Sequence, residues 1–260
     1  MTAFLRPEYI LGRIFICEVT VMSQLLKELM DNLGFVLVSA AIAAGLFLVA
    51  KLAERFLPNP RKVTKTRRIT IVAICSAIAA VLHMLDFPLP FLAPEFYKLD
   101  FSELPVMLCG FYLGPAGAVA CEMVKILLKL LLKGTSTAFV GDFANFVVGC
   151  SLVLPAAVIY HIRRTRTTAI AGLAGGTLIL TIFGSLFNAV YLLPKFSQLF
   201  DLPLDTILAM GNAINGNITS LSTFVALAVA PLNLIKGATI SVLTMLLYKR
   251  IARPLFGLQK

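Results

Sequence analysis

The run GFVLVSAAIAAGLFLVAKLA, residues 34–53, carries one charge, Lys51, and at about 1.5 Å per helical residue it matches the thickness of a bilayer core. Further apolar runs fall at 69–85, 116–133, 139–160, 168–193 and 231–250, with a shorter one at 104–114. In lipid every backbone N–H and C=O has to be satisfied internally, and uninterrupted runs of this kind do so as helices. The composition agrees, with 59% hydrophobic and 14% charged residues and a mean hydropathy of +0.91. The expected fold is an all-α polytopic membrane protein, one helix at 34–53 followed by a core of six.

A net charge of +10 would suit a nucleic-acid binder, but the placement of the charge argues against one. Lys51, Arg55, Arg61, Lys62, Lys65, Arg67 and Arg68 form one cluster, Arg163, Arg164 and Arg166 a second, and Lys249, Arg250, Arg253 and Lys260 a third. All three flank apolar runs, which marks them as cytoplasmic. From a basic linker at 54–68 held inside, four crossings return the chain inside at 161–167 and six at 249–260. The segments left outside, 86–103 and 194–230, carry one lysine each, Lys98 and Lys195. The expected division is an N-terminal segment 1–33, an extra transmembrane helix 34–53, the linker 54–68, a substrate-binding core 69–253 and a cytoplasmic tail 254–260. The N-terminus is then outside the cell membrane, and no secretory signal is legible before residue 34.

Two runs are irregular. Residues 104–114 are too few to cross alone, so a tilt or a break at Leu113-Gly114-Pro115 within the membrane is expected. The last run, 221–250, is longer than needed, and Pro231 suits the first helical position, where its missing N–H is not required. On that reading 195–230 is an outer loop with a short helix of its own.

Polar residues inside or beside the runs converge on one membrane depth. FYKLDFSELP places Lys98 and Asp100 there, Asn145 lies in 139–160, Asn188 and Tyr191 lie in 168–193, and Asn233 and Lys236 share one face of the last helix. A lysine near a helix N-terminus opposes the macrodipole and calls for acceptors. Ionisable groups at such depth are functional candidates, and convergence from four segments points to a substrate site. Glu122, Lys125 and Lys129 share a helix face as structural ion-pair partners, and Asp142 is expected to cap the helix that starts near it. Ala73 and Ala77, with Ser76 and Ala80 beside them, form a small-residue stripe that permits close packing.

No GxxxxGK[ST] string is present, and KGTST (133–137) has its lysine and glycine in the wrong order, so the chain is not its own P-loop ATPase. No Ser/His/Asp or paired-carboxylate arrangement suggests an enzyme. His83 and His161 lack partner spacing for a metal, and the five cysteines show no CxxC spacing.

Taken as a series, YKLDFSELPVMLCGFYLGPAGAVACEMVKILL (97–128), GTSTAFVGDFANFVVGCSLVLPAAVIY (134–160), GTLILTIFGSLFNAVYLLP (176–194) and APLNLIKGATISVLTMLLYKRI (230–251) resemble the membrane S components of energy-coupling factor (ECF) transporters. The closest similarity is to their riboflavin-specific RibU group, carried by K-x-D-F-S-x-x-P and P-x-N-L-x-K-G and extending over about residues 65–253. The resemblance implies a six-helix core with both ends cytoplasmic and an outer loop around Lys98 and Asp100 that helps enclose the vitamin. It also implies that Asn233 and Lys236 bind flavin, that Asn145, Asn188 and Tyr191 fall in segments lining the site, and that Phe96, Tyr97, Phe101 and Tyr191 are placed to stack on its rings. Riboflavin is then a transported ligand and not a cofactor. The implied partners are two ATP-binding subunits and a transmembrane coupling subunit, docking on the Ala73 and Ala77 stripe. An S component for thiamine, folate or pantothenate, or a stand-alone secondary carrier, are the alternatives. The helix at 34–53 has no counterpart in the resemblance.

Overall fold

A computed structural model describes residues 22–58 and 63–256, the side chains of 249–256 excepted. Cys17, Arg61, Lys62, Lys260 and most of the 1–33 segment lie outside the described residues, as do the side chains of Lys249, Arg250 and Arg253. Residues 22–31 are helical (α1). They are followed by α2 (Leu33–Phe56), α3 (Lys65–Met84), α4 (Glu103–Leu113), α5 (Pro115–Lys133), α6 (Val140–Arg163) and α7 (Arg166–Phe187). A π turn, Asn188–Leu192, carries α7 into α8 (Leu193–Leu199), and α9 (Leu204–Ile214) follows. A second π turn, Val225–Val229, joins α10 (Leu221–Phe224) to α11 (Ala230–Phe256). Between α3 and α4, β1 (Phe87–Pro88) pairs antiparallel with β2 (Lys98–Leu99).

The protein is a multi-pass, helical membrane protein. Among the described residues five helical stretches are long and apolar enough to cross a bilayer: Leu33–Phe56, Lys65–Met84, Val140–Arg163, Arg166–Leu199 and Leu221–Tyr248. At 11 residues α4 is too short, and it is enclosed by protein instead, packing on α3, α5, α6 and α11. Its Val106, Met107, Cys109, Phe111 and Tyr112 sit in the main core, where Phe111 stacks on Tyr160 with ring centroids 4.3 Å apart. The break expected after it is present: Gly114 has φ +105°, a conformation that favours glycine, and Pro115 opens α5. Between α6 and α7 the backbones come close because Gly172 and Gly176, four apart, meet the carbonyls of Ala156 and Leu152 where a Cβ would lie only 2.7 and 2.6 Å away.

The last helix departs from expectation. Pro231 does not open it; the helix runs on from Leu221, and Pro231 is the second residue after the π turn. Proline has no N–H to donate and its ring crowds the carbonyl four residues earlier, and the wider π turn accommodates both defects without ending the helix. Asn233 and Lys236 therefore lie well inside a continuous helix and not near its N-terminus, so the macrodipole does not act on Lys236. At the other end of the expected outer loop, α7 continues as helix to Leu199, which leaves α9 as the short helix within that loop.

Candidate functional site

A second apolar cluster closes one end of the bundle. Ala93 and Tyr97, from the segment between α3 and α4, pack with Leu193, Ile207, Ile218, Phe224, Ala228, Val229 and Leu232. The β1–β2 pairing turns that segment back, so residues 97–100 return to the bundle. A cavity of about 410 Å³ is lined by His83, Tyr97, Lys98 and Asp100, by Lys129 and the turn from Gly134 to Thr137, by Asn145 and Val148 of α6, and by Asn188, Asn233 and Lys236. That volume is in the range of small-molecule sites.

The first π turn flanks it, contributing Asn188 and Leu192. Asn188 begins the first, and its Nδ2 donates to Gly184 O at 2.8 Å, a side-chain bond that competes with the regular backbone ladder. Its Oδ1 accepts from Tyr97 Oη at 2.9 Å. Burial pushes the Tyr97 phenol up, which keeps it a donor. Single-turn π insertions of this kind recur at functional sites.

The charged residues form a buried chain. Lys236 Nζ lies 3.2 Å from Asp100 Oδ2 and 3.0 Å from Glu103 Oε1. Lys125, fully buried, lies 3.5 Å from Glu103 Oε1, donates to Ser102 Oγ at 3.0 Å and pairs with Glu122. His83 Nδ1 is 3.5 Å from Asp100 Oδ2. Burial alone would raise the Asp100 carboxyl, but Lys236 and then His83 outweigh it and hold it well below the ordinary carboxylate range. A lysine in an apolar bundle is tolerated here because two carboxylates neutralise it.

Of the residues singled out from sequence, Tyr97, Lys98, Asp100, Asn145, Asn188, Asn233 and Lys236 line the cavity together. Lys98 is exposed at its rim, 3.4 Å from Asp86. Phe101 and Tyr191 stand elsewhere: Phe101 packs on the main core and against Phe87, and Tyr191 packs against Phe187 and Phe143 at 5.0 and 6.3 Å. Phe96 lines the cavity beside Tyr97. Lys129 pairs with Asp142 at 2.6 Å, not with Glu122, and the Asp142 carboxylate accepts from Lys129 and Thr135 instead of capping α6. Sequence reasoning passed over His83, Glu103 and the Thr135–Thr137 turn. Glu103 stood in the same short string as Asp100, and that proximity was the available signal.

Asn233 lines the cavity, and its Nδ2 is buried and has no hydrogen-bond partner. On α3, Ala73 and Ala77 are exposed while Ser76 and Ala80 are buried, Ser76 Oγ donating to Cys121 O at 3.1 Å.

The family model for the ECF transporter, substrate-specific component, matches residues 67–248, most of the chain. The chain belongs to that family. It is an S component, a transport subunit and not an enzyme. This S component is 36% identical over 188 residues to the riboflavin transporter RibU of Staphylococcus aureus (strain TCH60), covering 72% of this chain and 92% of that protein. It is 30% identical over 188 residues to the riboflavin transporter FmnP of Bacillus subtilis (strain 168), covering 72% and 93%. Its fold is similar to a solved S component of a bacterial ECF transporter, with a TM-score of 0.57 at 34% identity over 73% of this chain and 98% of that one.

Proposed function

We propose that this S component binds riboflavin in the cavity lined by Tyr97, Asn145, Asn188, Asn233 and Lys236 and delivers it inward as the substrate-binding subunit of an ECF importer. The observation that carries this reading is the buried, unpartnered Asn233 amide beside Lys236, at the cavity of a chain 36% identical to a riboflavin transporter. Riboflavin is uncharged, with a flat ring system, a uracil-like edge of donors and acceptors, and a chain of hydroxyls. Amides suit that edge because each offers donors and an acceptor, and Lys236 adds a donor for a carbonyl or ring nitrogen. Phe96 and Tyr97 supply aromatic surface for the rings, and the Lys129–Asp142–Thr135 group supplies polar partners for hydroxyls. Because Lys236 is already neutralised by Asp100 and Glu103, the site favours a neutral ligand over an anionic vitamin.

The core is the six-helix unit 69–253, with 34–53 as an additional crossing. The positive-inside pattern supports a cytoplasmic C-terminus and an N-terminus outside. Two ATP-binding subunits and a transmembrane coupling subunit supply the energy, docking on α3 at Ala73 and Ala77, whose exposure supports that assignment. The test is the visible absorption spectrum of the detergent-purified protein, with mass identification of any released pigment and titration by riboflavin fluorescence quenching. A stoichiometric flavin is expected. Colourless protein that fails to quench added riboflavin overturns the assignment.

A further inference from the structure

The helix α2 lies ahead of the family match, which begins at residue 67. Only Ala50 of α2 is fully buried, yet the helix is fixed to the bundle at both ends. At its C-terminal end Glu54 Oε1 accepts from Ala116 N at 3.0 Å, occupying a free N–H of the first turn of α5, and lies 3.5 Å from Arg68 Nη2 of α3. Ala50 packs there with Ala116, Val119 and Phe146. At its N-terminal end Phe35 meets Phe143 of α6 edge to face, with ring centroids 5.7 Å apart.

That second contact reaches the cavity. Phe35 packs on the cluster of Val140, Ala144 and Leu192, and both Ala144 and Leu192 line the cavity. Phe143 in turn contacts Tyr191 of the π turn. The stretch that Phe35 backs is also under backbone strain, because Ala138 and Phe139, immediately before α6, have φ of +45° and +67°. Non-glycine residues hold such conformations only where the surroundings over-determine them. A layer of packing behind α6 and the π turn supplies part of that constraint.

We infer that α2 is a brace for the ligand-binding wall, with Phe35 a positioning residue that acts through Phe143, Ala144 and Leu192, and Glu54 its anchor at the opposite end. The inference rests on the cavity being the binding site. Loosening the brace leaves the chemistry of the site intact but costs pre-organisation, so its effect falls on the dissociation rate more than on the association rate.

The experiment uses the full chain in detergent, with riboflavin as the probe. Phe35→Ala is expected to raise the Kd and the dissociation rate about five-fold, in line with loss of one aromatic edge contact. Phe35→Tyr, which keeps the ring, restores both, and Leu48→Ala on the exposed face of α2 changes neither. In ligand-free protein Phe35→Ala speeds backbone hydrogen exchange across residues 138–145, and Phe35→Leu gives the same direction if the alanine variant does not fold. Wild-type rates and unchanged exchange in Phe35→Ala overturn the brace, as does a loss that Phe35→Tyr fails to rescue. If the wild type does not bind riboflavin, the functional reading falls by itself, and the exchange measurement alone then decides the brace.

Discussion

Tyr97 donates its hydroxyl to Asn188 Oδ1 at 2.9 Å, tying the segment between α3 and α4 to the π turn that follows α7. The same amide donates to Gly184 O, so Asn188 spends its side chain on protein partners. Asn233, which also lines the cavity, leaves Nδ2 without a partner. Two asparagines that look alike in sequence thus differ in their surroundings, one engaged on both sides by protein and one with a donor left free at the candidate site.

Tyr97→Phe removes the donor and strands a buried acceptor, a loss of about 1–3 kcal/mol. The thermal midpoint of ligand-free protein in detergent is expected to fall. An unchanged midpoint would mean that the hydrogen bond does not hold the loop.

Asn233→Ala removes an atom with no protein partner, so the ligand-free midpoint should stay near wild type. Riboflavin affinity is expected to drop at least ten-fold, about 1.4 kcal/mol. Gly184→Ala should weaken binding in the same direction, because its Cβ would lie 2.9 Å from Asn233 Nδ2 and displace the amide. Full affinity in both variants, by fluorescence titration, would remove Asn233 from the site.

Lys236→Met leaves Asp100 and Glu103 buried without their shared cation and is expected to destabilise the protein by about 3–5 kcal/mol. Adding Glu103→Gln should recover part of that loss, since residues in one network are not additive. Chemical denaturation of the single and double variants measures the coupling, and strict additivity would show that the pair is not coupled.

Ala73→Trp and Ala77→Trp place bulk on the exposed face of α3. Co-purification with the ECF module should be abolished while riboflavin titration stays within about two-fold of wild type. Loss of both properties, or of neither, counts against docking there.

Much of the candidate site was legible because polar residues in an apolar chain are conspicuous. Asp100, Asn188, Asn233 and Lys236 stood out on hydropathy alone, and they meet at one cavity. Their pairing was not legible. Whether Lys129 reaches Glu122 or Asp142 depends on how α5 is rotated against α6, and spacing along one helix says nothing of the neighbour. Phe101 and Tyr191 share segments with lining residues, yet their rings point to other packing layers.

The sequence by itself determined that this protein is a bundle of membrane helices with a short, broken element at Leu113-Gly114-Pro115, because hydropathy and glycine and proline geometry are properties of a local segment. Tertiary structure decided that Pro231 sits inside a helix, that Glu103 and Lys125 extend the Asp100–Lys236 pair into a buried chain, and that α2 reaches the wall of the cavity. Those outcomes depend on the rotation and crossing of helices distant in the chain. A π turn or a buried ion pair is stable only when a neighbouring helix supplies the contacts that offset its local penalty.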